Sequence, residues 1–104
     1  MRIKANGILT GYDLTGIPDG PVITLSHSLA TTREMWWPQM SELEANYRLL
    51  RYDTRGHGET EVGDAPYDIP LLVNDVVALL EALEINQTHF VGLSMGGMIG
   101  QLLA

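Results

Sequence analysis

The sequence predicts an α/β fold in which helices cover a mostly parallel sheet. Three observations support that expectation. After an N-terminal hairpin, strand-like and helix-like segments alternate three times, the order that parallel pairing with helical crossovers produces. Three glycine- or hydroxyl-rich stretches, SHSLATT, DTRGHGE and GLSMGG, each follow a predicted strand, the position at which open α/β sheets bind ligands. The chain has 104 residues, 45% of them hydrophobic and 18% charged, enough apolar material for one buried core.

Residues 1–6 and 8–14 read as two strands around Asn6-Gly7, a pair that suits a tight hairpin turn. GIPDGP (16–21) is loop, and PVITLSHS (21–28) is apolar and β-branched, a buried strand. In EMWWPQMSELEAN (34–46) apolar residues recur at helical spacing; Pro38 belongs in the first turn, so the helix begins near Trp37. YRLLRYD (47–53) is a strand and 53–66 a loop. Asp68 is placed to cap a helix running to about Glu84, with Pro70 in its first turn. Leu72, Val73, Val76, Leu79, Leu80 and Leu83 form its apolar stripe, and Asn74, Asp75, Glu81 and Glu84 are expected to face away. THFVGLS (88–94) is a short strand, and SMGGMIGQLLA opens a last helix.

Composition narrows the function. A net charge of −7 argues against nucleic-acid binding. Cysteine is absent, which excludes disulfides and thiolate metal sites. No apolar run approaches the ~20 residues that span a bilayer, and no apolar segment follows the basic N-terminal residues. A cytoplasmic location is the expectation. All six basic residues lie at or before Arg55, whereas residues 56–104 hold seven acids and none. Those acids read as a solvated face, or as charges whose partners lie in further chain.

The chemistry concentrates at Gly92-Leu93-Ser94-Met95-Gly96, a G-x-S-x-G between a predicted strand and a predicted helix. A strand that turns at once into a helix crowds the positions two before and two after the serine, and glycine suits both. The turn pushes the Ser94 Oγ out above the sheet, making Ser94 the candidate nucleophile, and the Met95 N–H at the helix start is a candidate oxyanion donor. The alternative is a glycine-rich turn that only lets the helix pack closely; Gly97 is expected to serve that packing in either case. In SHSLATT the backbone N–H of Leu29 is the candidate second donor; the alternative is a plain loop capped by Thr31 or Thr32. DTRGHGET reads as a fixed structural loop, with His57 as base for Ser94 the catalytic alternative. A serine needs a base, and the chain offers only His27, His57 and His89: His27 sits in the candidate oxyanion loop, His89 lies on the serine's own strand, and no third residue to orient a base is evident.

Taken together, LSHSLATTREMWWPQM, LLRYDTRGHGET, DVVALLEALEI and HFVGLSMGGMIGQ resemble the α/β-hydrolase fold, and within it the 3-oxoadipate enol-lactonases of the β-ketoadipate pathway of aromatic catabolism. The resemblance spans essentially the whole chain. YDTRGHG and GLSMGGM also occur in esterases and cofactor-free haloperoxidases, which stay open as alternatives. Ser94 disfavours the branches with aspartate at this position, and Ser28 is a residue the lactonases tend to share. The resemblance implies one partial domain, 1–104, the N-terminal part of a longer hydrolase cut after the nucleophile turn. The acid, the histidine, the cap and the last three strands come later in such enzymes. It also implies that Trp36 helps line the site and that Arg33 is placed to meet a substrate carboxylate. No cofactor, metal, nucleic acid or membrane is implied.

Two expectations follow. As an enzyme, the chain hydrolyses a small lactone or ester through an acyl-serine, and is inactive without the C-terminal part. As a non-catalytic α/β module, it associates with itself or with a partner through THFVGLS, which becomes a free sheet edge.

Overall fold

The computed structural model describes residues 1–64 and 66–104. These form strands β1 (Arg2–Ala5), β2 (Ile8–Gly16), β3 (Val22–Ser26), β4 (Arg48–Tyr52) and β5 (His89–Gly92). The helices are a 3₁₀ turn (Arg33–Trp36), α1 (Trp37–Glu44), α2 (Ile69–Ala82) and α3 (Met95–Leu103). The strands make one sheet in the order β1-β2-β4-β3-β5.

Local chemistry accounts for most boundaries. Asn6 (φ 51°) and Gly7 (φ 81°) are both left-handed, the geometry of a type I′ hairpin turn, and β1 pairs antiparallel with β2. Thr32 caps the 3₁₀ turn by accepting from the Glu34 N–H. Pro38 sits in the first turn of α1, where its missing N–H costs nothing. Asp68 caps α2, its Oδ1 accepting from the Leu71 N–H at 2.8 Å.

The sheet is mixed. β3 pairs in parallel with β4 and with β5, as the alternation of strands and helices requires, while β2 meets β4 antiparallel. The period-2 alternation of β4 divides the core. Leu49 joins Ile23, Leu25 and Met40 beneath α1, and Leu50 joins Leu72, Val76, Leu79 and Ile99 beneath α2 and α3. Leu49 and Leu50 have no exposed surface, and burying a leucine fully contributes roughly 1.5–3 kcal/mol. The fold is a three-layer sandwich whose strands β3, β4 and β5 end on the same side.

Two expectations about helices are corrected. Asp75 does not face away from α2: it is 8% exposed and pairs with Arg55. Gly97 does not provide the close helix packing. A Cβ there would meet its nearest atom, the Gly92 carbonyl oxygen, at an ordinary 3.5 Å, whereas one on Gly100 would come 2.9 Å from the Phe90 ring. No helix of the described residues is long and apolar enough to cross a membrane.

Candidate active site

Ser94 joins β5 to α3 with φ 56° and ψ −111°, outside the regions open to most L-residues. Such a conformation costs roughly 1–3 kcal/mol and persists only where the surroundings dictate it. Here the surroundings are backbone. A Cβ on Gly92 would overlap the Gly96 carbonyl and lie 2.5 Å from the Gly97 nitrogen. A Cβ on Gly96 would overlap the Ser26 carbonyl oxygen and lie 2.7 Å from its carbon. Both glycines are therefore demanded by close approach, and together they press the start of α3 against the end of β3.

A serine at a helix N-cap ordinarily spends its hydroxyl on an N–H of the first turn. Ser94 does not: it makes no side-chain cap bond, and it is exposed. Among the described residues the N–H groups of Leu29 and Met95 also donate no hydrogen bond. Ser94, Leu29 and Met95 together border a cavity of about 400 Å³, otherwise walled largely by Tyr67, Ile69, Leu72 and Met98. The elements bring to one apolar cavity three residues whose hydroxyl or N–H makes no hydrogen bond among the described residues. The positive end of α3 adds a field that favours negative charge beside Ser94.

The N–H groups on either side of Leu29 are engaged. The Ser28 N–H points to Met35 Sδ at 3.4 Å, and the Ala30 N–H donates to His57 Nε2 at 3.1 Å. Ala30 is itself left-handed, with φ 63°. His27, fully buried, accepts the Thr54 N–H on Nε2 at 2.9 Å and contacts the Ser28 carbonyl through Nδ1 at 2.7 Å. Burial holds the His27 pKa below its usual 6.5, against the weaker pull of the Ser28 carbonyl.

Neither of these histidines is available as a base for Ser94. Both are committed to the loops, and no hydrogen bond joins a histidine to Ser94 among the described residues. His89 is exposed on β5. DTRGHGET is structural, as its composition suggests. Asp53 accepts from the N–H groups of Arg33 and Glu59, and the Thr60 hydroxyl donates to the Asp53 carbonyl at 2.7 Å. Arg55 grips Asp75 of α2 bidentately at 2.9 and 2.8 Å, and Asn6 adds a third bond to that carboxylate.

Arg33 is corrected. It does not reach the cavity but is 9% exposed, its guanidinium shared among Asp13, Asp53 and Glu59. Desolvation opposes its charge, yet the bonds to Glu59 and Asp13 win and hold its pKa above the ordinary arginine value. The same pairing keeps Asp13 ionised to lower pH than usual: burial raises its pKa, and the Arg33 hydrogen bond and charge more than reverse that. Trp36 lies elsewhere than the cavity bordered by Ser94. It packs against the Ile23–Leu25–Met40–Leu49 cluster, not around the Ser94 cavity. The wall residues Tyr67, Ile69 and Met98 were not singled out from sequence. The available signal was the Asp68 cap, which starts α2 at the cavity that Ser94 also borders.

A model of the alpha/beta hydrolase fold matches residues 21–104, and the chain belongs to that family. It is 41% identical over 102 residues to 3-oxoadipate enol-lactonase 2 of Acinetobacter baylyi, covering 98% of this chain and 38% of that one. The crystal structure of an enol-lactonase from Burkholderia xenovorans superposes with a TM-score of 0.97 at 43% identity, over 100% of this chain and 41% of that one. An N-acyl homoserine lactone degrading enzyme superposes with a TM-score of 0.90 at 32% identity, over 99% and 39%. The chain thus spans about two fifths of the length of the relatives it matches, and it corresponds to the N-terminal portion of their fold.

Proposed function

We propose that the chain supplies the nucleophile half of a cytoplasmic serine hydrolase acting on lactones or esters, most like the enol-lactonases. The single observation behind this reading is Ser94: a serine in a conformation that backbone contacts impose, its hydroxyl unspent, beside the free N–H groups of Leu29 and Met95. In this reading the Ser94 oxygen attacks the carbonyl carbon, and the two N–H groups bind the oxygen as it becomes an oxyanion. Collapse breaks the carbonyl–oxygen bond of the ring or ester, leaving an acyl-serine and a released hydroxyl on the leaving side. Water then cleaves the acyl-serine. The proton moves through a base and an acid outside these 104 residues, and their loss costs several orders of magnitude in rate.

The 104-residue chain alone is therefore expected to show near-zero turnover of enol-lactone. A hybrid continuing the chain with the C-terminal portion of the Acinetobacter relative is expected to turn over, and Ser94→Ala to abolish that turnover. Hydrolysis by the hybrid that survives Ser94→Ala would end the assignment of the nucleophile.

A second reading is favoured by one observation. β5 pairs with β3 along one edge only among the described residues, and Val91 within it and Leu93 just after it are 44% and 51% exposed. An open groove between that edge and α3 runs past Pro21, Thr88, Phe90 and Gly100. In this reading a second copy pairs there. Sedimentation velocity of wild type against Val91→Lys tests it: a monomer at every concentration counts against self-association, and a dimer dispersed by Val91→Lys supports it.

A further inference from the structure

The two loops bordering β3 and β4 are tied by a reciprocal exchange. His27, in the loop after β3, accepts the Thr54 N–H of the loop after β4 at 2.9 Å. His57, in the loop after β4, accepts the Ala30 N–H of the loop after β3 at 3.1 Å. A backbone N–H can only donate, so Nε2 of each ring must hold its lone pair and Nδ1 the proton. The Nδ1 partners agree: His27 faces the Ser28 carbonyl at 2.7 Å and His57 the Arg55 carbonyl at 3.1 Å. The rings lie 5.1 Å apart at 53°. Two charged side chains of the loop after β4 are engaged elsewhere: Asp53 with Arg33, and Arg55 with Asp75 of α2.

The bond to His57 falls on Ala30, a non-glycine residue held at φ 63°. An alanine has no reason to stay left-handed unless something fixes it. The Ala30 conformation sets the direction of the peptide before it, and the next N–H back along the chain is the free one of Leu29 at the Ser94 cavity.

We propose that His27 and His57 are positioning residues that clasp the two loops and aim the Leu29 N–H into the Ser94 cavity. The purpose rests on the hydrolase reading; the geometry does not. Neither ring acts as a base. Each serves as a neutral acceptor, a task that imidazolium cannot perform.

Nuclear magnetic resonance on the 104-residue chain tests this without turnover. Long-range ¹⁵N correlations of wild type are expected to show both rings as Nδ1–H tautomers. His57→Phe is expected to speed Ala30 amide exchange about fivefold, the equivalent of one net hydrogen bond, and to change the residual dipolar coupling of the Leu29 N–H. His57→Gln, which keeps an acceptor, restores both. An Nε2–H tautomer at either ring overturns the proposal even if a variant fails to fold. So does an unchanged Leu29 coupling in a folded His57→Phe chain, or a His57→Gln chain that behaves like His57→Phe. If the clasp is present and the hybrid of the preceding section is inert, the hydrolase reading fails and the clasp stands. The opposite pair of results removes the clasp alone.

Discussion

Gly96→Ala and Gly97→Ala are adjacent substitutions in one helix, and the structure predicts opposite outcomes. Alanine is favoured over glycine inside a helix by ~1 kcal/mol, so propensity alone would stabilise both. At Gly97 nothing opposes that gain, since the new Cβ makes an ordinary 3.5 Å contact. At Gly96 the Cβ would overlap the Ser26 carbonyl oxygen and sit 2.7 Å from its carbon. Carbon atoms settle near 3.5 Å, so the start of α3 must retreat by roughly 1 Å. The neighbour is backbone of a buried central strand and cannot yield. Overpacking of this kind costs roughly 1–3 kcal/mol, and the upper end applies. Gly96→Ala should lose about 2 kcal/mol after the propensity gain, moving the urea midpoint down by roughly 1–2 M. Gly97→Ala should match or exceed wild type. Urea unfolding followed by circular dichroism measures both. A Gly96→Ala chain as stable as wild type, or a Gly97→Ala chain that loses as much, would refute the reasoning. In an active hybrid the same 1 Å retreat carries the Met95 N–H away from the reacting oxygen, and an error of that size can cost ~10²-fold in kcat.

Two further outcomes follow from buried charge. Asp75→Ala strands Arg55, which is 5% exposed, and should cost roughly 3–5 kcal/mol in urea unfolding; a loss below 1 kcal/mol would show the pair to be dispensable. His27 has a folded pKa below 6.5, so between 6.5 and that lower value the unfolded chain binds a proton that the folded chain refuses. Stability from this group is whole above 6.5 and declines as pH falls through that window. Thermal unfolding between pH 7.5 and 5 should show the decline, and His27→Gln should flatten it; an identical slope in the variant would assign it elsewhere.

Much of the architecture was legible because the signals are local. Asn6-Gly7, Pro38 and the Asp68 cap each specify backbone geometry within a few residues, and the structure honours all three. The crowding at G-x-S-x-G could be argued from strand-to-helix geometry, and the overlaps at Gly92 and Gly96 bear it out. Asp75 is instructive in the other direction. It lies three residues after Leu72 and four before Leu79, so helical spacing put it on the apolar stripe. Only its charge argued for solvent, and that argument failed because Arg55, twenty residues earlier, meets it inside the protein.

The sequence by itself determined the order of elements, the turn that exposes Ser94 and the need for glycine on either side of it. Each of these depends on contacts between near neighbours in the chain. Tertiary structure decided which charges are consumed internally. Arg33 could be assigned to a substrate while its partners were unknown; once β2, the loop after β4 and the 3₁₀ turn converge, three carboxylates surround it. Tertiary structure also decided that Leu29 and Met95, sixty-six positions apart, border one cavity, their N–H groups donating no hydrogen bond among the described residues. The parallel pairing of β3 with β5 brings those two strand ends together, and no pattern within either segment states that distance.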